Sequence, residues 1–135
     1  MEQQPPAVLA LIVADYIHRD ERTGAFTILA TRAAIGAKDF PWTQARLAVY
    51  TVLTDGRSKT MLQLRLVDVE GAREAVLEHE TEIEFLDPTD DVEVVFSLSE
   101  LVFPEPGDYR LQLLAGGQLL CERRILLIPL ENPID

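Results

Sequence analysis

The sequence predicts an all-β fold, a sandwich of about eight mainly antiparallel strands. Apolar and polar residues alternate with a period of two along almost the whole chain, and no segment keeps the 3.6-residue period of an amphipathic helix. Eight such runs are separated by Gly, Pro and Asp at spacings typical of β-sandwiches. At 135 residues the chain is long enough to bury an apolar core. We therefore expect one domain over residues 1–135, with loose tails at 1–6 and 130–135.

The first two runs, 8–18 and 25–35, are predicted to pair as an antiparallel hairpin. The polar segment between them ends in Gly24, which can adopt a positive φ at little cost. A loop follows that contains Pro41 and Trp42. Because proline has no backbone donor, Pro41 argues against a central strand position there.

The next runs are equally regular. Run three covers 45–54 and ends at Asp55-Gly56, a strong hairpin signal, and run four covers 59–67. Run five, 74–85, shows the clearest alternation in the chain, which predicts a strand with one face in water and one covered.

Run six covers 92–98, and we expect a single helical turn at 99–101. Two prolines and a glycine then precede Tyr109, which begins run seven. A tyrosine near the start of the penultimate strand is typical of the tyrosine corner of immunoglobulin-like sandwiches. The fold class predicted is therefore an immunoglobulin-like antiparallel β-sandwich.

The last hairpin is signalled by Gly116-Gly117, since two glycines can take the two positive φ angles of a type I′ turn. Strand eight follows from 118 to about 128 and ends at Pro129.

Four short segments carry a resemblance to a known group of proteins. They are Ala-Asp-Tyr at 14–16, the Asp-to-Gly hairpin at 20–24, Leu-Thr-Asp-Gly at 53–56 and Pro-Gly-Asp-Tyr at 106–109. In these segments the chain resembles a family of short bacterial proteins of unknown function with immunoglobulin-like sandwich folds. The resemblance implies that fold and implies no activity.

Charge and composition exclude several classes of function. The net charge of −11, from 23 carboxylates against 12 Lys and Arg, argues against nucleic acid and anionic membranes as partners. The longest apolar stretches, 7–14 and 125–130, are shorter than the roughly 20 residues of a membrane helix. No basic start precedes the first apolar run, and a lone cysteine, Cys121, suits a reducing compartment. We expect a cytoplasmic protein.

No catalytic motif is apparent. Phosphate-binding glycine loops and a Gly-x-Ser-x-Gly elbow are absent, so we expect neither an enzyme nor a cofactor. His18 and His79 are far apart in the sequence, which argues against a zinc site. His79 is predicted to lie partly buried on the apolar side of run five, and Cys121 to act as a small hydrophobe.

Two acidic features are open to two interpretations. Glutamates alternate from Glu78 to Glu84, about 6.8 Å apart along one strand face. They form either a structural row, offset across strands by Arg65 or Arg73, or a calcium site. The weak metal candidates Asp87, Asp90 and Asp91 form either a capped turn or a calcium loop.

Two segments, 8–13 and 125–128, are apolar on both faces, whereas a strand with one side in water should alternate. Their second face must be covered, either by the loop with Phe40 and Trp42 or by a second copy of the chain. The candidate interaction residues are Leu9, Leu11, Trp42, Leu126 and Leu127.

The leading functional prediction is a non-enzymatic interaction or structural module that binds a protein partner, in the form of a homodimer. The alternative is a small-ligand or carbohydrate-binding domain that uses Trp42, Phe40 and Tyr50 as an aromatic platform.

Overall fold

The computed structural model describes residues 5–69 and 74–131. These residues form nine β-strands and no helix, and so no helix that could cross a membrane. The strands are β1 (Ala7–Arg19), β2 (Phe26–Thr31), β3 (Ala34–Ala37), β4 (Trp42–Thr54), β5 (Ser58–Asp68), β6 (Leu77–Phe85), β7 (Val92–Phe103), β8 (Gly107–Ala115) and β9 (Gln118–Pro129).

The strands form two sheets, one of four strands in the order β2-β1-β4-β7 and one of five in the order β3-β9-β8-β5-β6. All pairs are antiparallel except β3 with β9, which is parallel. Inward side chains of both sheets share one core, so the architecture is a sandwich. The all-β prediction is confirmed.

The described residues contain nine strands where about eight were predicted, because run 25–35 divides between the two sheets. Its first part, β2, pairs with β1 as expected. The chain leaves the first sheet at Arg32, whose guanidinium binds Asp15 (Nε to Oδ1, 2.6 Å) and whose N–H donates to the Val13 carbonyl. The next residues form β3, which lies beside β9 in the second sheet.

Two further boundaries differ from expectation. β4 begins at Trp42, which pairs with Phe103 and so lies in a strand, not a loop. β7 continues to Phe103 where a helical turn was predicted, with Glu100 at a φ of 53°. Tertiary pairing with β4 therefore overrides the local turn signal at 99–101.

Several turns are confirmed. Gly116 and Gly117, with φ of 57° and 82°, form the two-residue connection between β8 and β9, and Gly24 has a φ of 77°. The hairpin predicted at Asp55-Gly56 does not form, because β4 and β5 belong to different sheets. At Gly56 a Cβ would lie 2.1 Å from the ring of Phe85. The glycine therefore makes room for the aromatic side chain.

The core is mainly aliphatic with three phenylalanines, and Tyr109 anchors it at one corner. Thr51 is the one buried polar side chain among the described residues, and its hydroxyl donates to the Ala10 carbonyl at 2.8 Å. Tyr109 is buried, packs edge-on against Phe103 at 5.1 Å and donates its hydroxyl to the Glu105 carbonyl at 2.7 Å. This hydrogen bond holds the connection between β7 and β8 against the start of β8.

Candidate functional site

The two sheets end in four edge strands of unequal length. β2 and β3 have six and four residues, whereas β6 has nine and β7 has 12. Of the described strands, β7 pairs only with β4. The backbone N–H and C=O groups on its other side are therefore available to pair with another strand.

The composition of β7 is suited to strand pairing. Its six residues 94–99 carry no charge and include no proline or glycine. Val94, Phe96 and Leu98 lie on the inner face, with Phe96 and Leu98 buried, while Val95 and Ser97 lie on the outer face. This stretch lacks the charged and proline residues with which proteins usually protect an edge.

The neighbouring edge strand β6 differs in this respect. Its outer face carries four glutamates at alternate positions, from Glu78 to Glu84. Arg65 on β5 pairs with Glu78 (Nε to Oε1, 3.4 Å), and Lys59 approaches Glu82 at 4.0 Å. The predicted offset of the glutamate row by Arg65 is thus present, while Arg73 lies outside the described residues.

A shallow groove separates the two edges where the sheets meet. It encloses about 120 Å³ and is lined by His79 and Thr81 of β6 and by residues 94–98 of β7. The His79 ring lies edge-on to Phe96, with centroids 5.7 Å apart. His79 was predicted to be partly buried but is exposed, because β6 is an edge strand and the groove is open. A side chain from an added strand could enter this groove.

The outer face of β7 is tied to the centre of the first sheet by one polar contact. The Tyr50 hydroxyl donates a hydrogen bond to the Glu93 carboxylate. Burial, followed by this hydrogen bond to an anion, raises the pKa of Tyr50 to about 12. The Phe26 ring lies 5.7 Å from Tyr50, although β1 lies between their strands. The β1–β2 hairpin therefore covers part of this outer face itself.

Two of the predicted interaction residues are not available at the surface. Leu11 and Leu127 belong to the core, with exposed fractions of 4% and 2%. Their side chains face the other sheet and belong to the shared core. Both strands are also interior ones, since β1 lies between β2 and β4, and β9 lies between β3 and β8. Leu126 is half-buried and Leu9 is 57% exposed, at a bulge in the pairing of β1 with β4.

The proposed aromatic platform does not form. Trp42 and Phe40 are partly buried against the core, and the Trp42 indole donates to Gln44 Oε1 at 3.0 Å. Tyr50 lies eight residues along the same strand from Trp42, a separation of roughly 27 Å at the usual strand rise. These rings therefore cannot contact one small ligand together.

The acidic loop adopts a capped turn. Asp87 accepts hydrogen bonds from the Thr89 N–H (2.9 Å) and hydroxyl (2.8 Å), which lower the pKa of its carboxyl group. Asp90 and Asp91 are exposed, and the described residues contain no group of three or more His, Cys, Asp or Glu side chains that could hold a metal ion. Of the other candidates, His18 stacks on Tyr16 and Cys121 is half-buried beside the core.

The edge residues of β7 were missed as an interaction surface. Run 92–98 was predicted correctly to be a strand. Its position at an edge depends on which strands flank β4, and no local signal specifies that. The lack of charge in residues 94–99 is the one feature of the sequence that could have drawn attention to them.

Comparison with solved structures gives distant likenesses. The chain is 14% identical to a β-glucosidase from Listeria innocua (TM-score 0.48, covering 72% of this chain and 15% of that one). It is 10% identical to the alkylpurine DNA glycosylase AlkC of Pseudomonas fluorescens bound to DNA with an abasic site analog (TM-score 0.48, covering 87% of this chain and 30% of that one). It is 24% identical to the β-glucosidase EmGH1 of Erythrobacter marinus (TM-score 0.43, covering 72% of this chain and 14% of that one). The chain thus spans less than a third of each of these proteins.

No curated protein matches the chain. Residues 9–128 match the sequence model of DUF6941, a family of unknown function.

Proposed function

Because the chain belongs to the family of unknown function DUF6941, we propose its function from the geometry: it is a non-enzymatic interaction module that self-associates through β7. The observation that supports this proposal is the 12-residue edge strand with an uncharged stretch of six residues, residues 94–99, and a groove beside it. Strand addition at such an edge gains main-chain hydrogen bonds, and the groove accepts alternate side chains.

The partner we propose is the β7 strand of a second copy, in an antiparallel pair about a two-fold axis. Paired residues must lie on the same face of the joined sheet, so a register centred on Phe96 keeps inner residues opposite inner ones. Val94 then faces Leu98 of the other copy, and Glu93 faces Ser99. No carboxylate is opposed by another carboxylate over residues 93–99.

The predicted homodimer brings two strongly acidic chains together. Each carries a net charge of −11, so long-range repulsion opposes association and is screened by salt. We therefore expect the dimer to tighten as the salt concentration rises. A cytoplasmic location accompanies the proposal, and the free thiol of Cys121 supports it.

We also propose that the sandwich is immunoglobulin-like. Such domains have strands A, B and E adjacent in one sheet and C, F and G in the other. The orders β1-β4-β7 and β5-β8-β9 correspond to these strands in sequence. Tyr109 near the start of β8, with its hydroxyl bonded to the Glu105 carbonyl, corresponds to the tyrosine corner. A crystal structure with another strand order would contradict this assignment.

The test of self-association is light scattering of the wild type and of Val95→Lys. Lysine on an edge strand opposes pairing, and Val95 is on the outer face, so the fold should persist. Gln63→Lys is the matched control, because it adds the same charge to a half-buried outer position of the interior strand β5.

We expect the wild type and Gln63→Lys to reach twice the 15.1 kDa chain mass, with tighter association in high salt. Val95→Lys should raise the dissociation constant about tenfold or more, which corresponds to about 1.4 kcal/mol. A wild-type monomer at all concentrations and salt levels, or equal weakening by both lysines, would refute pairing through β7.

A further inference from the structure

The outer face of the five-stranded sheet carries a contiguous group of apolar side chains near the turn between β8 and β9. Leu114 of β8 lies opposite Leu119 of β9, and Met61 of β5 is a diagonal neighbour of Leu114 in the β5–β8 pair. Met61 and Leu119 are 47% and 48% exposed, and Leu114 is half-buried. Single apolar residues are common on protein surfaces, whereas a contiguous set indicates an interaction site. We call these three residues the apolar patch.

The glutamate row of β6 borders the apolar patch. Glu82 lies opposite Met61, and Glu80 lies opposite Gln63, which has no charge. Two cations of β5 pair with two of the four glutamates of the row. No ion pair among the described residues includes Glu80. Apolar surface and uncompensated negative charge therefore lie side by side on this face.

The charge beside the patch restricts the chemistry of a partner. Carboxylates repel nucleic acid and anionic lipid, and they repel a second copy of this chain, whose net charge is −11. A complementary partner places apolar side chains on the patch and Lys or Arg beside Glu80. These requirements are met by a basic segment of another protein.

The pairing of the strands under the patch favours a helix over an added strand. β5 lies between β6 and β8, and β8 lies between β5 and β9, so their main-chain groups already pair within the sheet. A helix satisfies its own main-chain hydrogen bonds and packs well on the face of a sheet. From the β6 row to Leu119 the surface spans three strand spacings, about 14 Å. A helix with its side chains is roughly 10–12 Å wide and covers most of this distance.

We propose that the outer face of the five-stranded sheet binds a basic amphipathic helix of another protein. The apolar stripe of this helix covers Met61, Leu114 and Leu119. Its Lys or Arg residues flank that stripe on the side of β6, where Glu80 has no cationic neighbour across the strand pair. None of these residues lies in β7, so this surface is separate from the edge at which we propose self-association.

The test measures binding of synthetic peptides to the full chain by fluorescence anisotropy. The first peptide contains only leucine and lysine, in the pattern of an amphipathic helix of about four turns, or about 14 residues. The second has the same pattern with glutamate in place of every lysine. The third has the composition of the first in strict alternation, which is the pattern of a strand and not of a helix.

Two pairs of variants locate the binding surface. Leu119→Ser changes the apolar patch, and its control is Leu29→Ser, since Leu29 is 49% exposed and lies on β2 of the other sheet. Glu80→Gln removes the uncompensated charge, and its control is Glu21→Gln, at an exposed position between β1 and β2. All four side chains are exposed, so the fold should persist, and equal thermal midpoints within each pair check this.

We expect the leucine–lysine helix to bind at least about tenfold more tightly than either of the other peptides. Leu119→Ser should weaken its binding about fivefold or more, because less apolar area is buried. Glu80→Gln should weaken binding about twofold to fivefold at low salt and have no effect at high salt, which screens an exposed charge. Neither control should change binding measurably.

Several results would overturn the proposal. They are equal effects of the two variants of either pair, equal binding of the glutamate or the alternating peptide, and no binding of the leucine–lysine helix at millimolar concentration. Val95→Lys should bind the peptide as the wild type does. Failure of pairing through β7 and failure of helix binding are therefore separate results.

Discussion

The two long edge strands, β6 and β7, lie on the same flank of the sandwich but present different surfaces. Each is held to the core by a phenylalanine that is nearly buried, Phe85 in β6 and Phe96 in β7, with exposed fractions of 3% and 4%. β6 carries a glutamate at every second position of its outer face from Glu78 to Glu84. β7 carries none over residues 94–99.

This difference shows how one sandwich can contain a protected edge and a receptive one. A row of like charges opposes the approach of another strand, especially of another acidic chain. Glu93 and Glu100 flank the uncharged stretch of β7 and set its length without interrupting it. If the chain self-associates as proposed, this difference directs pairing to β7 and away from β6.

The largest effect we expect comes from removing the two phenylalanines. Phe96→Ala and Phe85→Ala should each lower the free energy of unfolding by about 3–5 kcal/mol, because each leaves a cavity in the core. Urea denaturation followed by circular dichroism measures both. Similar losses would show that the edges are anchored equally and differ only at their surfaces. A loss below about 1 kcal/mol for Phe96→Ala alone would show that β7 is loosely held, and the comparison would then fail.

Much of this fold could be predicted from the sequence, because alternation and turn residues act locally. All eight predicted runs contain strands, and the Gly116-Gly117 turn has the backbone angles expected. Errors lie where long-range pairing decides the outcome. β3 separates from β2 because it pairs with β9, far along the chain, and β7 extends past Ser99 because β4 continues beside it.

The candidate site was harder to predict for the same reason. Strands β1 and β9 are apolar on both faces, which predicted that a loop or a second copy covers them, but both are interior strands of their sheets. Whether a strand is interior or at an edge depends on the order of all the strands in its sheet, which no local pattern encodes.

An intermediate effect should appear at alkaline pH, through the contact that ties β7 to β4. Burial and the hydrogen bond to Glu93 raise the pKa of Tyr50 from its ordinary value of 10 to about 12. Stability from this contact is therefore fully present below pH 10 and is lost as the pH rises from 10 to 12. We expect a decline of about 1.5–3 kcal/mol, the size of a hydrogen bond to a charged group.

Urea denaturation at pH 9 and near pH 11.5 measures this decline. Tyr50→Phe should be less stable than the wild type at pH 9. Its free energy of unfolding should also fall less than that of the wild type between pH 9 and the higher pH. Tyr16→Phe is the control, since Tyr16 is 37% exposed and should leave the pH dependence unchanged. An identical pH dependence in wild type and Tyr50→Phe would contradict the assignment.

The smallest effect concerns the glutamate row of β6 itself. Glu78→Gln removes the partner of Arg65 and should cost about 0.2–1 kcal/mol, as for an exposed ion pair. Glu80 lies opposite Gln63, so Glu80→Gln removes only repulsion and should be neutral or stabilising by a few tenths of a kcal/mol. Urea denaturation at low salt measures the change in the free energy of unfolding, which should have opposite signs in the two variants. High salt should bring the two values together, because it screens both the attraction to Arg65 and the repulsion between glutamates. If both variants lost stability equally, Arg65 would not offset the row. Opposite signs would instead mean that β6 maintains its charged edge at almost no net cost in stability, so the uncharged edge of β7 is not imposed by the demands of folding.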